Sequence, residues 1–420
     1  MMGYLLIAAA LGLLALRVNL ILILMFVAGY THMVWGAGQL DYFIQDVWSA
    51  MDRELVVAVP LFILVGSVMS RGSIAKRLVD VMIALTRPIP GGLAVATILS
   101  CAIFSAISGS SIVTMLAVGS VLHPALVANG YSSRFAIGAL MAGGTLGIII
   151  PPSIPMIIYG IITETSISAL FLAGIGPGLL LTLVFSSYAI VMNYHIPRQR
   201  FAFAEFGNAV YKGIPALMMP IILLGGIYSG YFSPTEAAAV ALVYAIGIET
   251  LFFRELKFSQ YFDMTIDAAK LVGALFPLIA IAVSMNLLIT EQRIPHEVIG
   301  FLTERIDNQT GFILLTNVIL LIMGCFMDTA SAITIASPLL KPIAEAYGIG
   351  STHLGIIVIL NLEIGILTPP LGLNLIVAMT AFKESFGNVC RAALPWVALM
   401  ILCLLLVSFQ PWIAMYLVGG

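Results

Sequence analysis

Charge is what this 420-residue chain has least of. Asp, Glu, Lys and Arg make up 9% of it against 61% apolar residues, and the mean hydropathy is +1.11. A soluble fold of this length needs a charged surface, so the class is a polytopic membrane protein. Apolar and polar residues do not alternate along the runs, which excludes a membrane β-barrel and leaves helices. The net charge is −2 and the basic residues are scattered, so no nucleic-acid partner is indicated. Cysteine is scarce as well. Cys101, Cys325, Cys390 and Cys403 lie in apolar runs without CxxC spacing, so neither a disulfide framework nor a metal site is expected. GxSxG and P-loop patterns are missing, which speaks against hydrolase and ATP-driven activities. His296-Glu297 lacks the second histidine of HExxH, and the five histidines show no ligand spacing. Tyr4–Leu16 has no basic leader or cleavage-like site and reads as a membrane segment.

What is present is a series of helix-length apolar segments. Tyr4–Leu16 and Val18–Trp35 come first, hinged near Arg17 and Asn19. Leu40–Arg53 is mixed and suits an amphipathic helix in the interface; Ser73–Arg87 is amphipathic and basic. Glu54–Ser70 lies between them as a span. Residues 91–127 are apolar but interrupted at Ser108-Gly109-Ser110-Ser111, which describes a re-entrant hairpin. A further segment covers 133–160, and Ser168–Asn193 closes a first half, 1–194. The polar stretch 195–212 reads as a linker. The second half, 213–420, has spans at Gly213–Tyr228 and Pro234–Leu251, an amphipathic stretch at Phe253–Lys270 and a span at Leu271–Ile289. Ile294–Asn308 is again amphipathic. A second hairpin follows at 311–342, interrupted near Asp328, then a segment at 353–379 and a last span at Val389–Tyr416.

Two of these segments carry a Pro-Pro pair in mid-helix: LGIIIPPSIPMII from Leu146 and IGILTPPLGLNLI from Ile364. Proline lacks the helix-ladder N–H, its ring clashes with the preceding turn, and it pushes the residue before it out of the α region. Each segment is therefore expected to be a helix broken within the membrane. Such backbone is tolerated only where it is buried or lines a cavity. Broken spans at matching positions in two halves point to a secondary transporter's midplane site. The halves repeat at one offset: Pro124 with Pro342, Gly130 with Gly348, Gly147 with Gly365, and Pro151-Pro152 with Pro369-Pro370, each 218 apart (342 − 124 = 218). Three prolines and two glycines pairing without a gap indicate an internal duplication. Each half has five crossings and a hairpin that does not cross, about ten crossings in all, and an odd number inverts the second half relative to the first. Lys and Arg test this. With the N-terminus outside, Arg17, Arg71, Lys76, Arg77, Arg87, Arg134, Arg198, Arg200, Lys212, Arg254, Lys257, Lys270, Lys383 and Arg391 fall inside; Arg53, Arg293, Arg305 and Lys341 fall outside. The division is 14 to 4 (14 + 4 = 18), a positive-inside bias with both termini outside.

At its motifs the chain strongly resembles the large membrane subunit of TRAP (tripartite ATP-independent periplasmic) transporters. The resembling residues are SGSSIVT from Ser108, GGTLGIIIPPSIP from Gly143, AGIGPGLLL from Ala173, FSPTEAAAVAL from Phe232, MDTASAI from Met327 and NLEIGILTPPLGLN from Asn361. They cover essentially the whole length. Thr329-Ala330-Ser331 depart from the bulkier or proline-containing run expected after Asp328. The resemblance implies an all-α elevator fold that imports an organic acid with Na+ across the bacterial inner membrane. It also implies a small four-helix membrane subunit on a separate chain and a periplasmic substrate-binding protein. The moving transport domain would be 91–160 plus 311–379, and the rest a scaffold.

Two sets of residues are then candidates. Ser108, Ser110 and Ser111 sit at the first hairpin turn, and Gly143, Gly144, Thr145, Pro151 and Ser153 at the first break. Oxygens of Ser108 and Ser111, and backbone carbonyls of the turn, of Gly143-Gly144-Thr145 and of Pro151, are expected to hold sodium. Ser108, Ser110 and Ser153, at helix ends, are expected to favour a substrate carboxylate. Against this stands the reading that Ser and Gly simply pack helices in lipid. Asp328, Thr329, Gly365, Thr368 and Pro369 form the matching sodium set, with Ser331 and Asn374 toward the substrate. Asp328 reads equally as an N-cap, and Asn374 equally as helix–helix glue. Glu236 in SPTEAAAV reads as a helix start, with partner docking as the alternative. Glu363 reads as structural, because its charge would repel an organic anion. Arg134 and Lys341 are expected to snorkel to the interface. The rival functions are a stand-alone anion symporter, an intramembrane enzyme and a channel.

Overall fold

A computed structural model describes residues 18–36, 40–292 and 308–419, with residues 6, 9, 12, 13, 16, 299, 300, 302 and 304–306 between them. The segment expected at Tyr4–Leu16 and the stretch at Ile294–Asn308 fall largely outside the described residues. The described chain is helical, and nine of its helical segments are long and apolar enough to cross a membrane. α1 (Leu20–Val34) is followed by α2 (Leu40–Met51), α3 (Glu54–Arg71) and α4 (Ile74–Thr86). α5 (Gly92–Ser108) and α6 (Ser111–Ala128) form the first hairpin. α7 (Ser133–Ile149) and α8 (Ile154–Thr163) are one helix broken at the prolines, and α9 (Ile167–Met192) ends the half. Then come α10 (Phe203–Tyr228), α11 (Pro234–Gly247) with a π turn (Ile248–Phe252), and α12 (Phe258–Glu291). The second hairpin is α13 (Gln309–Phe326) and α14 (Thr329–Ala346); the second broken helix is α15 (Ser351–Gly365) and α16 (Leu373–Phe382). α17 (Phe386–Phe409) and a short α18 (Trp412–Met415) finish the chain.

Two boundaries differ from the sequence expectation. Residues 258–291 form one helix, although the sequence changes from amphipathic to apolar near Lys270. No glycine or proline interrupts Phe258–Val272, so the change of polarity leaves the hydrogen-bond ladder there intact. The linker expected over 195–212 is helical from Phe203 onward, where Arg87, just after α4, pairs with Glu205 of α10.

Helix starts follow from local chemistry. The side chains of Ser110, Ser132, Ser153, Ser166, Asp328 and Ser385 each accept a backbone N–H in the first turn of the following helix. Ser233 and Glu236 form a capping box: Glu236 N–H donates to Ser233 Oγ at 3.2 Å and Ser233 N–H to Glu236 Oε2 at 2.8 Å. Gly130 and Gly348, repeat mates, both take positive φ (84° and 77°) just after the second hairpin arm.

Packing reproduces the duplication. Each hairpin packs on its own broken helix, α5 and α6 on α7, and α13 and α14 on α15. The halves also exchange partners in matched pairs: α8 packs on α14 as α16 packs on α6, and α9 packs on α15 as α17 packs on α7. That pattern is what a two-fold axis between inverted repeats produces. Three ion contacts join segments far apart in the chain. They are Arg53–Glu164 (3.3 Å), Arg71–Asp267 (2.6 Å) and Arg87–Glu205.

Candidate functional site at the hairpin tips

The first hairpin turns at Gly109, whose φ of 59° needs no Cβ there and ends α5. Ser108 is buried, and its Oγ lies 2.6 Å from Thr114 Oγ1 across the turn. Ser110 caps α6 through Val113 N–H at 3.5 Å. This tip rests on the first break, where Ile154 N–H donates to the Gly109 carbonyl at 3.4 Å. Gly147 permits the approach; a Cβ there would stand 2.6 Å from the Ser110 carbonyl oxygen and 2.7 Å from Thr114 Oγ1. Ser153 is fully buried and caps α8 through Met156 N–H at 3.3 Å.

The break decides which carbonyls are available. In an α-helix the carbonyl of residue i accepts from the N–H of residue i+4. For Gly147 and Ile148 those donors are positions 151 and 152, both proline, so these two carbonyls lose their helical partners. The carbonyls of Gly143, Gly144 and Thr145, expected to hold sodium, keep their helical partners. Their i+4 donors lie within α7, which runs unbroken to Ile149. Gly143 and Gly144 instead let hairpin 1 close on α7, against Cys101 and against Met115 with the Ser111 carbonyl. Thr145 turns its hydroxyl back to the Ala142 carbonyl (2.6 Å), beside Met400 of α17.

The second tip rests on the second break in the matching way. Gly372 N–H donates to the Cys325 carbonyl at 3.2 Å, and Gly324 of α13 and Gly365 of α15 meet backbone to backbone. Here the carbonyls orphaned by Pro369 and Pro370 find replacements: Gly365 accepts from Thr368 N–H at 2.8 Å and Ile366 from Asn374 N–H at 3.2 Å. Thr368 Oγ1 bonds the Ile364 carbonyl at 2.7 Å. Both Pro-Pro bonds, 151-152 and 369-370, are cis. Asp328 is the N-cap of α14, with Oδ2 accepting Ser331 N–H (3.0 Å) and Oδ1 accepting Ser331 Oγ (2.5 Å). Ser331 is thus engaged by the cap. Thr329 Oγ1 donates to Glu363 Oε1 at 3.3 Å, which brings an acid read as structural into the tip region.

One bond joins the two sets. Asn374 Nδ2, just after the second break, donates to Ser111 Oγ of the first hairpin at 3.2 Å, and Asn374 Oδ1 is buried without a partner. Glu363 Oε2 is the other orphaned acceptor at the tips. Elsewhere, Lys341, expected to snorkel to the interface, donates from Nζ to the Thr163 carbonyl at the end of α8 at 2.6 Å. His32 and His353 bond backbone carbonyls at 2.8 and 2.9 Å, and the His123 ring packs tilted against Phe382 with centroids 4.8 Å apart. The sequence analysis did not single out Glu249, which is fully buried and accepts Ile74 N–H at 3.0 Å, capping α4 from another helix. An acid inside an apolar run was the signal that could have found it.

Comparison with known proteins places these motifs. Residues 5–413 match the family model described as tripartite ATP-independent periplasmic transporter, DctM component. The chain is 40% identical over 374 residues to the C4-dicarboxylate TRAP transporter large permease protein DctM of Pseudomonas aeruginosa, covering 88% of each. It is 35% identical over 396 residues to the ectoine TRAP transporter large permease protein TeaC of Halomonas elongata, covering 93% of this chain and 92% of that one. It is 36% identical over 392 residues to the isethionate TRAP transporter permease protein DctMQ of Oleidesulfovibrio alaskensis, covering 91% of this chain and 61% of that one. In fold it is similar to the crystal structure of the YdaH transporter of Alcanivorax borkumensis, with a TM-score of 0.63 at 13% identity, covering 90% and 89% of the two chains.

Proposed function

The chain belongs to the DctM family of TRAP transporters, and on that premise we propose that it is the large membrane subunit of a sodium-coupled importer of an organic acid, such as a C4-dicarboxylate. A periplasmic binding protein delivers the substrate, a small four-helix membrane subunit completes the scaffold, and both termini of this chain face the periplasm of an inner-membrane protein. The observation that carries the reading is the junction of the two repeats, where Asn374 of the second meets Ser111 of the first beside two hairpin tips. The freed carbonyls of Gly147 and Ile148, with Ser108 and Ser111, are hard oxygen ligands of the kind sodium favours. The helix N-termini at Ser110, Ser153 and Asp328 supply N–H groups and positive dipole ends for a carboxylate. Sliding 91–160 and 311–379 past the scaffold would carry ion and substrate together.

The test is uptake in proteoliposomes. Succinate, binding protein, small subunit and this chain together should give accumulation that follows an inward sodium gradient. Accumulation unaffected by replacing sodium with potassium would overturn the coupling. Equal accumulation by this chain alone would overturn the need for partners.

A further inference from the structure

Two carboxylates in the described chain are completely enclosed, Glu249 and Glu363. Glu249 is answered by Ile74 N–H at 3.0 Å and Ser73 Oγ at 3.4 Å. Glu363 is not. Its Oε1 accepts one hydrogen bond, from Thr329 Oγ1 at 3.3 Å, and its Oε2 accepts none. Among the described residues no basic side chain compensates it. Of the elements packed on α15, α8, α9, α13 and α18 carry no Asp, Glu, Lys, Arg or His. On α14, Lys341 lies twelve residues beyond Thr329 (341 − 329 = 12), about 18 Å along the helix. There it bonds the Thr163 carbonyl and neighbours Glu345 at 3.9 Å. Arg134 and Arg391 sit in the first two turns of α7 and α17, at the opposite ends from Lys341. His353 is ten residues back on α15 itself and bonds the Val407 carbonyl (363 − 353 = 10). Asp328, the acid at the tip, already has both oxygens engaged in the cap of α14.

A carboxylate removed from water without a counter-charge is costly, and an ionisable group at membrane depth implies a partner. We propose that the partner is the transported cation. Glu363 is the anionic ligand of a monovalent cation held between α15 and the start of α14, with Thr329 Oγ1 as a neutral ligand. This rests on the cation-coupled reading above and changes it in one respect. The repeat mate of Glu363 is Thr145 (363 − 218 = 145), so only the second break carries a formal charge. The first site is built from neutral oxygens, and the two sites are unequal in affinity.

Thermal unfolding of the full chain in detergent tests this, with sodium chloride titrated against choline chloride at constant ionic strength. Sodium should raise the wild-type midpoint. Glu363→Gln keeps the shape and removes the charge, so it should shift the sodium concentration for half-effect upward by roughly tenfold or more. Thr329→Val should shift it in the same direction by less, and it decides the question if the glutamine variant unfolds in choline. A wild-type sodium midpoint in whichever variant folds overturns the proposal. A wild-type chain whose unfolding ignores sodium overturns the sodium coupling itself, a separable result.

Discussion

At the scale of single residues, the glycines of the site divide by what surrounds them. A Cβ at Gly365 would collide with the Gly324 backbone, whereas one at Gly225 in α10 would meet nothing within 4 Å. Gly365→Ala should therefore force the second hairpin off its broken helix, costing about 1–3 kcal/mol and most of the uptake. Gly225→Ala should leave uptake intact and stabilise α10 by about 0.5–1 kcal/mol. Unfolding midpoints together with uptake at equal expression distinguish the two. Asp328 makes a second contrast. As an N-cap it is replaceable by Asn, while Asp328→Ala should lower stability by about 1 kcal/mol. Equal midpoints for the Asn and Ala proteins would remove the cap from the account of this tip.

At the scale of elements, what the sequence disclosed was whatever proline and glycine punctuate. Pro151-Pro152 and Pro369-Pro370 announce their breaks because a missing N–H is a local fact. Long-range partnerships leave no such mark. Nothing near Glu249 in IGIETLFF names Ser73 or Ile74, which lie 176 and 175 residues away in the chain. For the same reason Thr145 could not be told apart from the tip hydroxyls, since only packing turns it toward α17. The continuity of α12 escaped because a change of polarity resembles a boundary. Glu249 also matters for its element. Helix α4 has no cap from Ser73's own side chain, and Gly72 leaves the room that the Glu249 carboxylate fills. Glu249→Ala strips that cap and leaves N–H groups buried, so the unfolding midpoint should fall by an amount equivalent to about 1–3 kcal/mol. Glu249→Gln, which keeps one acceptor, should lose less. Identical midpoints for the two variants and the wild type would show that α4 holds its place without this contact.

At the scale of the whole molecule, polar contacts join the expected moving part to its surroundings: His353 Nε2 bonds the Val407 carbonyl at 2.9 Å, Ser133 Oγ donates to Glu384 Oε1 at 3.3 Å and Asn317 Nδ2 to Ser408 Oγ at 3.4 Å. Two more lie just past residue 160: Arg53, the residue before α3, pairs with Glu164, the residue after α8, and Asn286 on α12 donates to the Ile162 carbonyl at 3.4 Å. If the part containing α8 slides, the Arg53–Glu164 pair must separate. Bridging Arg53→Cys and Glu164→Cys with a short bifunctional thiol reagent should stop uptake, and cleaving the bridge should restore it. Undiminished uptake by the bridged protein would rule out a displacement of α8 relative to α3. The interlocked halves carry one more consequence. Residues 193–202 are the sole covalent join between two bodies that clasp each other through α8 on α14 and α16 on α6. Two genes, one ending near Arg198 and one beginning near Gln199, should therefore yield fragments that find each other in the bilayer. Neither fragment expressed alone has the partner on which its broken helix packs, and each should be cleared by proteolysis, while co-expression should rescue both.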